Sequence, residues 1–141
     1  GDLKLTYQVD GGDLVQAGEA SSQMKMTLKK LGLPPEIIRK ASVCMYEGEI
    51  NMVIHADGGR VEVEVGMDAI TIRLIDQGPG IPDVDRAMEE GYSTAGDVAR
   101  DLGFGAGMGL PNMKRYSDEM RIDTTVGVGT TVTMRIDINN G

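Results

Sequence analysis

Aromatic residues are nearly missing from this 141-residue chain, which has no tryptophan, one phenylalanine and four tyrosines. Rings therefore cannot fill its core, and the ten methionines read as the filler, because a flexible thioether adapts to irregular space. Cysteine is limited to Cys44, so no internal disulfide can form and a reducing compartment is the simpler expectation. No apolar run approaches the roughly 18 residues a membrane span requires, and the charged N-terminal stretch does not read as a signal peptide. Basic residues are also in short supply, with 14 Lys and Arg against 22 Asp and Glu for a net charge of -8. That balance argues against a broad basic surface for nucleic acid or anionic membrane, although it leaves a local patch open. The expectation is a soluble cytoplasmic protein with one domain over residues 1–141, since 40% apolar composition supplies a single core at this length.

What is present is organised. Leu3 to Asp10 alternates apolar and polar residues, predicting a half-buried strand that Gly11-Gly12 ends. Asp13 offers an N-cap for a helix from Leu14 to Leu31, with Gly32 as its stop. Pro34-Pro35 suits the first turn of a second helix running to about Ala56, and Asp57-Gly58-Gly59 reads as a turn. Val61-Val63-Val65 and Ile70-Ile72-Leu74 alternate on either side of Gly66-Met67-Asp68 and predict an antiparallel hairpin. A short helix from Asp83 to about Glu90 follows. The stretch from Gly91 to Gly107 is glycine-rich and polar, a long irregular connection of the kind that is usually functional or disordered. Met108 to Tyr116 predicts a helix, and Met120 to Thr125 and Thr130 to Ile138 predict strands. Helices on one face of a mainly antiparallel, mixed sheet make this an α+β protein, a two-layer α/β sandwich.

The Pro35 to Ala56 helix is apolar over most of its circumference, which marks it as buried. Yet Glu47, Asn51 and His55 are spaced four apart and stack into one polar stripe. An unpaired buried polar group costs about 1 to 3 kcal/mol, so either an internal hydrogen-bonded network or a polar ligand must face that stripe. Asp76 follows a strand and enters Gly78-Pro79-Gly80-Ile81-Pro82, where small residues let a flat ligand approach and a carboxylate can accept an exocyclic amine, as adenine requires. Alone this pattern is also an ordinary strand-ending turn. Gly103, Gly105, Gly107 and Gly109 alternate into the start of a helix, as a main-chain phosphate cradle would. The run lacks the GK[ST] ending of a P-loop and is not the GxGxxG of a dinucleotide fold. A further signal, Gly127-Val128-Gly129-Thr130, precedes the last strand.

Taken together, ExxxN at Glu47 and Asn51, DxGxG from Asp76, the GFGAGMGL run and GVGT resemble the four boxes of the GHKL ATPase superfamily of gyrase, Hsp90, histidine kinases and MutL. DQGPGIPD, GYSTA, GAGMGLPNMKR and SDEM are similar to the anti-sigma factor and serine kinase branch, nearest the stressosome switch kinases. The resemblance implies the Bergerat-type ATP-binding fold, with ATP and Mg²⁺ as cofactors. It implies that Asn51 ligates Mg²⁺ and that Glu47 is the general base. It also implies that Asp76 binds the adenine amine, that Thr130 supports it through water, that Gly78 and Gly80 make room for the base, and that Ile81 belongs to the ATP-binding set. Gly103, Gly105, Gly107, Met108, Gly109 and Leu110 would wrap the phosphates, and Gly91 to Gly103 would form a lid. Two departures stand out. The lid segment Gly96 to Asp101 is longer and more acidic than a switch kinase leads one to expect, which leaves open whether Arg100 or another cation meets the γ-phosphate. Gly48 sits inside a buried helix at a cost of about 1 kcal/mol relative to Ala, which suggests close approach of a neighbour.

The function the resemblance implies is an ATP-dependent serine/threonine kinase that phosphorylates a STAS-domain antagonist protein in a bacterial partner-switching stress pathway. The alternative is an anti-sigma factor that sequesters a sigma factor in an ATP-dependent manner. A histidine kinase fragment is disfavoured because His55 lies on the pocket helix rather than on an exposed dimerisation helix. Neither nucleic acid nor membrane is an expected partner, and a homodimer is allowed.

Overall fold

A computed structural model describes residues 2–13, 15–56, 58–89 and 109–138. Strand β1 (Leu3–Asp10) is followed by helices α1 (Glu19–Lys30) and α2 (Pro35–His55) and by strands β2 (Gly58–Val65) and β3 (Ala69–Asp76). The short helix α3 (Val84–Ala87), helix α4 (Gly109–Tyr116) and strands β4 (Glu119–Thr125) and β5 (Gly129–Asp137) complete the described chain. The strands form one five-stranded sheet in the order β1-β2-β3-β5-β4, and all four pairings are antiparallel. This is the expected α+β two-layer arrangement, except that the sheet is antiparallel at every described pairing where a mixed sheet was expected.

Burial follows the alternation of the strands. Val61, Val63, Ile70, Ile72, Leu74, Val132, Met134 and Ile136 face the helices and are buried, whereas the intervening Arg60, Arg73 and Arg121 are exposed. Met24, Met45, Met52, Met113 and Met134 are all buried, so half of the methionines do fill core volume. Each fully buried side chain of this size contributes roughly 1.5 to 3 kcal/mol of transfer free energy. Helix α2 is the keystone, touching α1, α4 and strands β1, β2, β3 and β5. Its closest approach explains Gly48: a Cβ there would sit 2.9 Å from Leu74 Cδ1. The helix interior gives up propensity so that α2 can lie directly on β3.

Three boundaries differ from the periodicity. Helix α1 begins at Glu19, not Leu14, because the chain is left-handed at Gly18 (φ 98°). Asp13 does not cap it, and instead its Oδ1 accepts from Gln16 N (3.2 Å) in the preceding turn. The cap comes from another helix. Glu49 of α2, 2% exposed, accepts from Gly18 N (2.9 Å), Ala20 N (3.2 Å), Ser21 N (3.0 Å) and Ser21 Oγ (2.7 Å). An anionic acceptor at a helix N-terminus satisfies donors that have no partner within the helix and opposes the dipole. Gly58 and Gly59, expected in a turn, instead open β2 opposite Asp10 and Val9. Finally, α3 spans only Val84–Ala87, with Asp83 as a cap whose Oδ1 accepts from Arg86 N (3.1 Å).

Candidate functional site

Helix α2 splits its two neighbouring acids between opposite sides. Residues two apart lie about 200° apart around a helix, so Glu49 turns into α1 while Glu47 turns toward α4. There Asn112 Nδ2 donates to Glu47 Oε1 (3.3 Å). One turn away along each helix, Gly109 faces Asn51, where an added Cβ would lie 2.8 Å from Nδ2 and 3.0 Å from Oδ1 of the amide. Only a residue without a side chain lets the start of α4 come this close to the polar stripe. Thus the stripe at Glu47 and Asn51 meets the first turn of α4. His55 ends the same stripe, half-buried, and burial pushes its imidazole below the ordinary 6.5.

The second wall is assembled across the sheet. Asp76 ends β3 directly opposite Thr130 of β5, and its Oδ1 accepts from Gly78 N (2.9 Å) and Thr130 N (3.3 Å). Thr130 is buried, and its hydroxyl lies 2.9 Å from that of Thr124. Thr124 in turn accepts from Ile81 N (2.9 Å), while Gly127 N donates to Pro79 O (2.8 Å). The turn after Asp76 is therefore stitched to the β4–β5 hairpin at two points. Gly80 sits in this seam at φ 80°, where a Cβ would come within 2.7 Å of Thr125 O, so both backbone conformation and space demand glycine. Gly78 abuts the end of α2, with a built Cβ 2.7 Å from that of Ala56. The end of α2 and the Asp76 turn are consequently neighbours.

Of the residues expected to form a site, the structure gathers Glu47, Asn51, Asp76, Gly78, Gly80, Ile81, Gly109, Leu110 and Thr130 around α2, the end of β3, the start of α4 and β5. Gly103, Gly105, Gly107 and Met108, the lid and Arg100 lie outside the described residues. Two contacts of the candidate site, Thr124 and Asn112, and the structural cap Glu49 were not expected from the sequence. Thr124 had a signal, because it stands opposite Thr130 across the Val126-Gly127-Val128 turn. Asn112 and Glu49 had none beyond helical spacing. A shallow cavity of about 360 Å³ on the α1 side of α2, lined in part by Gln16, Lys25, Ser42 and Tyr46, contains none of the expected residues. Cys44 is inert: its thiol is buried, lies 3.7 Å from Met113 O and is pushed up to about 12, mainly by burial.

The arrangement suits a nucleotide. Asp76 is a fixed acceptor whose Oδ1 is already engaged, and the seam beside it is built from the turn from Gly78 to Ile81 and the β4–β5 hairpin. Among the described residues no group of three His, Cys, Asp or Glu side chains forms a metal cage. A cation here would rest on the Asn51 amide oxygen together with phosphate oxygens and water, a donor set that suits Mg²⁺. No described helix is long and apolar enough to cross a membrane.

Comparison with known proteins gives the family and the fold. The family described as histidine kinase-, DNA gyrase B-, and HSP90-like ATPase matches residues 42–140. The chain is 33% identical over 108 residues to the serine/threonine-protein kinase RsbT of Bacillus subtilis, covering 74% of this chain and 75% of that protein. It is 31% identical over 129 residues to the anti-sigma F factor of Clostridium beijerinckii, covering 86% and 87% of the two chains. Among solved structures, the mycobacterial sensor histidine kinase MprB aligns over 96% of this chain and 97% of its own, with a TM-score of 0.54 and 16% identity. That last likeness is one of fold.

Proposed function

The chain belongs to the histidine kinase-, DNA gyrase B- and HSP90-like ATPase family, and from that premise we propose that it is an ATP-dependent serine/threonine kinase whose substrate is a STAS-domain antagonist protein of a cytoplasmic partner-switching pathway. The observation that carries the nucleotide site is the pairing of Asp76 with Thr130 across the sheet. Because Asp76 Oδ1 already accepts two main-chain N–H groups, Oδ2 is the oxygen that receives the adenine amine. The Thr130 hydroxyl, held by Thr124, supports the base through water. Asn51 would hold Mg²⁺ by its amide oxygen, and the ion would supply charge screening for the phosphates. Gly109 and Leu110 carry the phosphate-binding end of α4, with Gly103, Gly105, Gly107 and Met108 before them.

Glu47 takes the proton of the partner's serine or threonine hydroxyl as that oxygen bonds to the γ-phosphorus, and the bond to the β-γ bridging oxygen breaks to release ADP. The transferred group brings about -1.5 to -2 charges to the face of a kinase that is itself acidic, which weakens the complex and frees the product. The similarity to RsbT supports this reading.

A second reading, an anti-sigma factor that holds a sigma factor while ATP is bound, is favoured by the anti-sigma F factor similarity over most of the chain. The two are separated by mixing the purified protein with STAS-domain proteins, a sigma factor and labelled MgATP. Acid-stable phosphate on a STAS-domain protein is expected, with little ATP hydrolysis in its absence. Acid-labile phosphohistidine, or tight sigma-factor binding without transfer to any STAS-domain protein, overturns the kinase reading.

A further inference from the structure

The kinase reading leaves open how the Glu47 carboxylate is aimed. We infer that Asn112 is the positioning residue for Glu47, holding one carboxylate oxygen so that the other faces the hydroxyl to be deprotonated. This inference rests on the role of Glu47 as base.

Asn112 lies on the side of α4 that meets α2, and its amide donates to Glu47 Oε1 (3.3 Å), both side chains being part-buried. Around it α4 is otherwise apolar toward the core: Met113 is 1% exposed, and Leu110 and Tyr116 pack against the buried cluster. A polar amide in such a seam needs a polar partner, and Glu47 is that partner. The backbone carrying Asn112 is fixed from two directions, since Met113 O accepts from Ser117 Oγ (2.7 Å) and from Cys44 Sγ (3.7 Å). Gly109, three residues earlier, sets the register by seating the start of α4 against Asn51. The two helices thus meet in two rungs, Gly109 against Asn51 and Asn112 against Glu47. One helix thereby bears on the residue assigned to the metal and on the residue assigned to the proton.

A glutamate carboxylate on three rotatable bonds samples many directions, and a misplacement near 1 Å can cost about 100-fold in rate. Tethering Oε1 to a helix that is itself anchored removes most of that freedom and directs Oε2 to the acceptor hydroxyl. The same amide identifies what would destroy the arrangement: an isosteric carboxylate at position 112, which sets like charge against like.

The test is a rate and binding cycle on the full chain, with a STAS-domain protein as phosphoacceptor. Asn112→Leu keeps the branched shape and removes the donor, Asn112→Asp conserves shape and reverses the interaction, and Asn112→Ala serves if either fails to fold. We expect MgATP affinity by calorimetry within about 3-fold of the parent chain, with transfer slowed roughly 10- to 100-fold in Asn112→Leu and further in Asn112→Asp. In a Glu47→Gln background the same substitutions should produce no additional loss, because a residue that acts only through Glu47 has nothing left to position. Asn112→Leu that transfers at the parent rate, losses that multiply with Glu47→Gln, or MgATP affinity that falls in step with rate overturns the inference while leaving the kinase intact. A parent chain that transfers phosphate to no hydroxyl overturns the kinase reading, and the positioning role falls with it.

Discussion

Glu49→Gln and Glu49→Ala test whether a side chain from one helix terminates another. The parent carboxylate accepts from three main-chain N–H groups and one hydroxyl at the start of α1, and the bonds at Ala20 and Ser21 are buried. In Glu49→Ala those donors lose their acceptor, and of the three residues Gly18 and Ser21 border the shallow cavity on that side of α2 whereas Ala20 does not. With about 1 to 3 kcal/mol for each unsatisfied buried group and partial rescue by solvent at Gly18, the loss is roughly 3 to 5 kcal/mol. That is a large share of the ~5 to 15 kcal/mol that holds a domain together. At about 4 °C per kcal/mol for a chain of this size, the midpoint should fall by roughly 12 to 20 °C. Glu49→Gln keeps one acceptor and turns an NH₂ group toward main-chain donors, so about half the loss is expected. The control is Glu47→Gln, two residues away on the same helix with one weak side-chain bond, which should cost less than about 1 kcal/mol. Denaturant unfolding of the three variants, with hydrogen exchange at Ala20 and Ser21, reads the effect directly. Parent stability in Glu49→Gln, or a larger loss in Glu47→Gln than in Glu49→Gln, would refute the capping argument.

Asn51→Ala should leave a folded protein that no longer gains ATP affinity from Mg²⁺, and calorimetry with an unchanged Mg²⁺ effect would remove the metal role. Glu47→Gln should bind ATP within a few-fold of the parent chain while phosphotransfer drops about 100- to 10,000-fold, and equal losses in both would make Glu47 a pocket-holding residue instead. Asp76→Asn replaces an acceptor with an amide and should narrow the preference for ATP over GTP, whereas a parent protein that binds both alike would contradict the adenine assignment. His55 is held below its ordinary 6.5 by burial, so as pH falls the unfolded chain takes up the proton first. Its contribution is complete above about pH 6.5 and is lost through the acidic window down to the lowered value. In His55→Gln the unfolding midpoint should lose that part of its pH dependence, and identical profiles would sink the argument.

Periodicity alone located most elements, because the strands alternate and α2 is apolar over most of its surface. It failed at the start of α1, where Leu14 to Gly18 has acceptable helical spacing but the chain turns left-handed at Gly18. It failed again at Gly58-Gly59, which look like a turn and instead pair with β1. In both cases a contact from elsewhere outweighed a weak local preference. The site divides along the same line. Glu47 and Asn51 were legible as a pair because a spacing of four places both on one side of any helix, and Asp76 was legible because its glycines announce a tight turn.

The sequence by itself determined which residues share a face and which segments must turn, since helical and pleated repeats are properties of the local backbone. Only the tertiary structure decided what those faces meet. Asp76 and Thr130 are joined by sheet register across 54 positions of chain, Glu49 closes a helix 28 to 31 positions away, and Asn112 reaches Glu47 across 65. Such pairings are selected by the packing of the whole core, which lets hydrogen-bonding groups distant in sequence satisfy one another, and no local pattern carries that information.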